Sequence, residues 1–455
     1  MKRERTTSLV LSLSLLAACG SEQHGAGDAG AGGGASGSSS SSGGAPAAGG
    51  TGGSTSNGAG GAVSSGGGSA GGAVTSAGGG TSSGGSTGGA ATKGGAGGGS
   101  AGGSAGAGDS GAGKSKELLY VSGAATSGSG SVITVYEVAL APTVTLTKGP
   151  SLDVDGLASF LAFSPFGDRL YATDENLGML RSFKLDATTG APTVLNAVQT
   201  MGHPTHVAVD SAGHAVFGAD YNEGKVEVVG IDVAGGLASN VDSETPGSQT
   251  HEVVLSPDGK FAFVPCKGSD KVAQFRLNTT GALDANTPPS VASAGGAGPR
   301  HMAFGPDGRF AYVIDENGNT METMAYDKPS GLLSRKTAVT TLPPNFSGSS
   351  TAAEVAVAPS GRFLYGSNRI VGADGDIVIY AIGQDGGLSL VGHESTRGQQ
   401  PRHFSIDPTG QLLFVANLDS KTLVVFSIDG ASGKLTFVTQ VDAGMQPYFA
   451  GVNPY

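Results

Sequence analysis

From Lys116 to Tyr455 the chain runs in short stretches rich in β-branched and aromatic residues, each broken by a turn of Pro, Asp, Ser and Gly. Stretches of four to eight such residues bounded by turn formers read as strands. The turns are Ser164-Pro-Phe-Gly167, Asp210-Ser-Ala-Gly213, Ser256-Pro-Asp-Gly259, Gly305-Pro-Asp-Gly308, Ala358-Pro-Ser-Gly361 and Asp407-Pro-Thr-Gly410, and their glycines recur every 46 to 53 residues. A fixed period of that size marks a repeat architecture. One repeat, His301 to Arg335, divides into an inner strand (Met302 to Phe304), a second (Phe310 to Ile314), a third (Thr320 to Tyr326) and an outer strand after Gly331. Four antiparallel strands of this kind make a propeller blade.

Six copies are explicit, and a seventh is split between the two ends of this region. Leu118-Leu119-Tyr120-Val121 looks like a second strand without its first, while Pro447-Tyr448-Phe449-Ala450 aligns with Pro401-Arg402-His403-Phe404. A C-terminal strand that completes the N-terminal blade closes a ring and removes the exposed sheet edge. An open solenoid would need polar capping repeats instead. The expectation for 116–455 is therefore an all-β, seven-bladed β-propeller.

Nothing before residue 116 follows this pattern. Lys2, Arg3 and Arg5 precede an apolar stretch from Ser8 to Ala18, the charged-then-apolar order of an export signal and too short to span a bilayer. Its end, Leu16-Ala17-Ala18-Cys19, resembles the lipobox of bacterial lipoproteins, which implies a signal peptide over 1–18 and lipidation at Cys19. Gly20 and Ser21, neither of them acidic, directly follow the cysteine, so the expected place is the outer membrane or cell surface, with the lipid anchor as the only membrane contact. Residues 19–115 are almost all Gly, Ala, Ser and Thr and cannot form a core, so they read as a tether. A chain of that composition has a root-mean-square reach of roughly 50–60 Å. Gly98-Gly-Ser-Ala-Gly102 fits a nucleophile-elbow pattern but lies in this tether, where no strand and helix exist to carry it.

Composition removes several classes of function. The net charge is −11 with no basic stripe, which argues against nucleic acid as a partner. Trp is absent, which sets aside the Trp-Asp repeat class. Of two cysteines, Cys19 is assigned to the anchor, so no disulfide framework is available, and Cys266 at a strand end reads as a buried, inert thiol. His203-Pro-Thr-His206 is poorly spaced for a metal pair on a strand, and no metal site is expected.

Alignment on the turn glycine places Phe160, His206, Glu252, His301, Glu354 and His403 at one equivalent position, at the start of the innermost strand. The position before it holds Ser159, Thr205, His251, Arg300, Ala353 and Arg402. Innermost strands line the axis, so two adjacent rings rich in His, Glu and Arg are expected at one mouth. The second strand returns to the same mouth, and eight residues past the turn glycine it carries Glu175, Lys267, Glu316 and Arg369. Polar groups are common at strand ends, so each alone reads as structural. The cluster as a whole reads as a ligand pocket in which neighbouring charges shift each other's pKa.

These residues resemble the lactonase family of seven-bladed propellers, which includes bacterial 6-phosphogluconolactonases and fungal carboxymuconate-cyclising enzymes. The segments that carry the resemblance are His251-Glu-Val-Val-Leu-Ser-Pro-Asp-Gly259, Gly298-Pro-Arg-His-Met-Ala-Phe304 with Asp315-Glu316, Ala353-Glu-Val-Ala-Val357 with Ser367-Asn-Arg369, and Gln400-Pro-Arg-His-Phe404 with Ala416-Asn417. The resemblance implies that His251, Arg300, Glu316 and Arg369 are catalytic, and the ring alignment adds His301, Glu354, Arg402 and His403 as expected substrate-binding residues. The resemblance also implies opening of a small lactone without metal or organic cofactor, with Glu316 or His251 as the base and Arg300 and Arg369 anchoring charge; the protein is expected to be a monomer. Cys266 departs from the acidic residue more usual in the family, which puts substrate geometry beside it in question. The alternative use of the same fold is a non-catalytic, surface-displayed propeller that binds a glycan or protein.

Overall fold

The computed structural model describes residues 116–454 apart from 129, 141, 142 and 280. The signal segment 1–18, Cys19 and the rest of the expected tether lie outside the described residues. Twenty-eight strands, numbered β1 to β28 in chain order, form seven four-stranded antiparallel sheets among the described residues. Blade 5 is typical: β16 (Pro299–Phe304), β17 (Phe310–Asp315), β18 (Thr320–Asp327) and β19 (Leu332–Thr340) pair in sequence order from the axis outward. The expected strands of this repeat are all present, with the inner strand starting three residues earlier.

Ring closure follows the expected route. In blade 1, β28 (Met445–Val452) pairs with β1 (Lys116–Ala125), with Leu119 opposite Val452 and Val121 opposite Ala450. Every inner edge therefore lies within a complete blade, including the one where the chain ends meet.

The core sits between blades. Seven clusters of buried apolar residues occur among the described residues, and each is drawn from two neighbouring blades. The cluster between blades 4 and 5, for example, joins Phe263 and Val272 to Met302, Val313 and Met324. Strand alternation produces this arrangement, because inner and middle strands are buried on both faces and present an apolar side to each neighbour. Neighbouring blades are also locked by backbone geometry at their outer turns. Gly433 in blade 7 has φ +75°, a Cβ there would lie 2.4 Å from Phe363 Cδ1 of blade 6, and its carbonyl accepts the Tyr365 hydroxyl at 2.8 Å.

Candidate active site

Two consecutive residues of a regular strand point to opposite faces, so one strand should supply the axis with only every second side chain. The inner strands avoid this limit with a bulge. In blade 5, Pro299 lies opposite Asp315 and His301 opposite Ile314, leaving Arg300 as the extra residue. The same irregularity isolates Arg402 between Pro401 and His403, and Thr205 between Pro204 and His206. In blade 6 it falls between Ala352 and Val355. A bulge re-aims side chains next to it. Arg300 with His301, and Arg402 with His403, consequently line the same narrow axial pocket, together with His251, Glu354 and Tyr448.

The deeper ring fills the axis. His206 Nε2 lies 3.7 Å from Glu252, whose Oε2 accepts the Met302 amide at 2.6 Å. His301 Nδ1 stands 3.0 Å from both oxygens of Glu354, and His403 Nε2 lies 3.6 Å from the same carboxylate. The ring closes through aromatic contacts, with centroid separations of 4.4 Å from His403 to Phe449, 5.0 Å from Phe449 to Phe160 and 4.1 Å from Phe160 to His206. Backbone amides set two tautomers: Val253 donates to His206 Nδ1 and Ala450 to His403 Nδ1, so both neutral rings carry their proton on Nε2, facing Glu252 and Glu354. Burial, reinforced by neighbouring imidazoles, pushes His206 well below the usual histidine range. Burial holds His403 down at about 4 even though Glu354 pulls the other way. The same burial, with Glu354 adding to it, pushes Glu252 well above the usual carboxylate range.

Above this ring three cations converge on one carboxylate. Glu316 stands 2.9 Å from Lys267 Nζ, 3.3 Å from Arg300 Nε and 3.2 Å from Arg369 Nη2. Burial alone would raise its pKa, but Arg369, Arg300 and Lys267 outweigh it and hold the group at about 2. Carbonyls fix the arginines further, with Arg300 Nη1 donating to Ala353 O at 2.7 Å and Arg369 Nη2 to Ala352 O at 3.0 Å. Lys267 also reaches the Tyr221 hydroxyl at 3.2 Å, and the Tyr221 ring sits edge-on to His251 at 5.7 Å. His251 Nδ1 lies 3.2 Å from His301 Nε2. On the far side of the pocket the Arg402 guanidinium stacks 5.1 Å from the Tyr448 ring.

The family model described as "Lactonase, 7-bladed beta-propeller" matches residues 119–449. The chain belongs to the lactonase family of seven-bladed β-propellers. Among its relatives are the 6-phosphogluconolactonase of Cronobacter sakazakii, 30% identical over 318 residues that cover 70% of this chain and 94% of the relative, and that of Serratia proteamaculans, 28% identical over 74% and 99%. A similar solved structure is the periplasmic gluconolactonase of Pseudomonas aeruginosa, with a TM-score of 0.68 and 30% identity, covering 74% of this chain and 99% of that one.

In this lactonase-family propeller, the four residues expected to be catalytic and the four expected to bind substrate all gather at one mouth. They divide into two levels. His251, Arg300 and Arg402 stand at the upper level with Glu316 and Arg369 beside them, whereas His301, Glu354 and His403 belong to the deeper ring. Two further residues outside those eight also stand at this mouth. Tyr221 stands eight past Gly213, in register with Lys267 and Glu316, and Tyr448 aligns with Arg402 through the split repeat, so the same alignment contains both.

Cys266 has no part in the pocket. It ends β13 (Phe261–Cys266) in the core between blades 3 and 4, its thiol is pushed up to about 12 by burial, and Sγ lies 3.4 Å from Val264 O. Its counterparts in other blades bind loops: Asp174 accepts the Leu157 and Leu177 amides and pairs with Arg181, and Asn417 donates to Thr396 O. The residue that turns toward the site is the next one, Lys267. His203 and His206 point to different places. His206 is in the axial ring, while His203 lies near Asp220 and Glu223, with one donor atom of each within 4.8 Å of the others. A larger hollow of about 670 Å³ lies at the opposite end, between Lys116, Leu118, Asp407 and Asn453, away from this cluster.

Proposed function

We propose that this propeller hydrolyses a sugar or organic-acid lactone bearing an anionic substituent, using the axial pocket at the mouth where the blades converge. The observation that carries this reading is the convergence of Arg300, Arg369 and Lys267 on Glu316 beside His251, in a chain of the lactonase family. Named relatives that act on gluconolactones support the substrate class.

Three cations around one carboxylate favour an added anion, and Arg300 and Arg402, which line the pocket, are the two set to meet it. Glu316 is a weak base at about 2, so its role is to hold the cations in place. His251 is the candidate base, because burial and Arg300 hold its ring in the neutral form, which leaves one ring nitrogen able to accept a proton. In the first step His251 removes a proton from water as the water oxygen bonds to the lactone carbonyl carbon, and Arg300 stabilises the oxyanion that forms. In the second step the tetrahedral species collapses, the bond from carbon to the ring oxygen breaks, and the departing alkoxide recovers the proton as a hydroxyl. The product is the open hydroxy acid.

The lipobox-like segment ending at Cys19 supports placing this activity outside the cytoplasm, on the membrane surface. There a lactone other than a phosphorylated intermediate of central metabolism is the fitting substrate.

The test is proton release in a pH-stat by the full-length protein on glucono-δ-lactone, its 6-phosphate and lactones of sugar diacids, with spontaneous opening subtracted. Turnover that favours the anionic lactones, and falls at least 100-fold in Arg300→Ala, is the expected result. A folded wild type no faster than buffer on every lactone would sink the reading and leave a non-catalytic binding propeller.

A further inference from the structure

We propose that Glu354, His301 and His251 form a proton relay, in which His301 and Glu354 are positioning residues that let His251 act as a base without becoming a cation. The inference rests on the hydrolase reading above and assigns these two residues a role other than substrate contact.

Three side chains stand in line across blades 4, 5 and 6. Glu354 holds His301 Nδ1 at 3.0 Å from both oxygens, and His301 Nε2 reaches His251 Nδ1 at 3.2 Å. Hydrogen-bond donors and acceptors must alternate along such a line. With Glu354 ionised, His301 donates from Nδ1, its Nε2 can only accept, and His251 must donate from Nδ1. That order puts the lone pair of His251 on Nε2, in a side chain that lines the pocket. One added proton reverses the line. Water gives its proton to His251 Nε2, His251 passes its Nδ1 proton to His301 Nε2, and His301 passes its Nδ1 proton to Glu354. The result is two neutral imidazoles, a neutral carboxyl and a His251 Nε2–H ready to protonate the departing alkoxide. The reverse shifts then restore the resting line, so no charge or proton is left over.

The surroundings explain why a relay serves better than a lone histidine. His251 is faced by Arg300, His301, Arg402 and Lys267, all of which oppose a positive charge on it, and by the Tyr221 ring. An imidazolium there would stand among the cations that bind the substrate's anion. Glu354 is faced by His301, His403, Arg300, Arg402 and Glu252, and burial, the strongest influence on it, favours its neutral form. His301 is disfavoured as a cation first by burial and then by Arg300 and Arg402. Moving the proton to Glu354 leaves the cationic pocket unchanged. This differs from a Ser-His-Asp arrangement, where the carboxylate stays ionised and the histidine becomes imidazolium.

The experiment combines two readouts on the full-length protein. Long-range ¹H–¹⁵N correlation of histidine-labelled protein at pH 8 reads the tautomers directly: the relay requires His251 and His301 both protonated on Nδ1, with His206 and His403 protonated on Nε2. Kinetics on the best lactone supply the second readout. Glu354→Gln keeps a hydrogen bond to His301 but cannot take a proton, so kcat is expected to fall at least 100-fold with KM within threefold. The proton inventory in mixed H₂O and D₂O should be curved for wild type and linear for the variant, and His301→Gln should behave alike. A His251 ring protonated on Nε2 in the resting protein, or a Glu354→Gln kcat within threefold of wild type, overturns the relay. Failure of the hydrolase reading would appear instead as a wild type no faster than buffer, with the tautomer signals still deciding the relay.

Discussion

Blade 2 and blade 5 share the same strands, turns and register, yet they use charge at the same mouth for different ends. In blade 2 the last residue of the second strand, Asp174, accepts two amides and pairs with Arg181 at 2.6 Å, so one anion meets one cation and closes a loop. In blade 5 the corresponding Asp315 is followed by Glu316, on which three cations from blades 4, 5 and 6 converge. The first arrangement is balanced within its blade. The second assembles only when three blades meet, and its surplus of positive charge suits a ligand. One repeat can therefore serve either structure or chemistry, according to whether its charges are matched locally or across blades.

The sharpest test of this contrast is Glu316→Gln. Removing one partner of a buried ionic cluster leaves uncompensated charge and costs about 3–5 kcal/mol. Thermal unfolding should show that loss, and lactone opening should fall at least 100-fold. A variant as stable as wild type would mean that the cluster does not hold the mouth together.

Asp174→Asn should weaken folding by about 1–3 kcal/mol, because an amide cannot serve both the loop amides and Arg181 as well as a carboxylate does. Its kcat/KM should stay within twofold of wild type. A large loss of turnover in a folded Asp174→Asn protein would break the distinction between the two blades.

Acid should separate the charged groups in order. His403 is held at about 4 against an ordinary value of 6.5, so the unfolded chain binds protons first and stability declines as pH falls from 6.5 toward 4. Glu316, lowered to about 2 from 4.5, adds stability that is fully present above about pH 4.5 and is lost as pH falls toward 2. Unfolding free energy followed by denaturant titration from pH 8 to pH 3 should show both slopes, with the lower one absent in Glu316→Gln. The acid limb of kcat/KM should lie below pH 6.5, since the base His251 stays neutral there.

The smallest effect is expected from Tyr221→Phe. This change removes the 3.2 Å contact to Lys267 and keeps the ring against His251, so a threefold to tenfold rise in KM with little change in kcat is the expected outcome. An unchanged KM would exclude the Tyr221 hydroxyl from the site.

Much of this is legible in the amino-acid sequence. The glycine spacing, the four-strand repeat and the complementary end segments were sufficient for a closed seven-bladed ring, because each is a local pattern repeated with a constant period. The same alignment brought His251, Arg300, Glu316 and Arg369 to one mouth. It also contains Tyr221 and Tyr448, which carry no charge and so do not stand out among the titratable groups of the alignment. Cys266 reads as a buried, inert thiol, and the side chain does enter the core between blades 3 and 4. Only the expectation that this residue borders the substrate falls away, because a strand-end residue reads alike whether it enters the core or the pocket.

What the sequence determined by itself is the ring: strand pattern and turn chemistry are short-range properties, and their repetition leaves one way to bury seven apolar sheets. Only the tertiary structure decided the chemistry of the mouth. Whether Arg300 and His301 face the axis together depends on a bulge set by pairing with β17. Whether Glu316 is a base or an anchor depends on cations carried by three different blades. The direction of the hydrogen bonds from Glu354 to His251 depends on side chains about 50 residues apart in the chain. Through-space electrostatics in a buried site acts over a few ångströms and is indifferent to sequence distance, and for that reason no local pattern contains it.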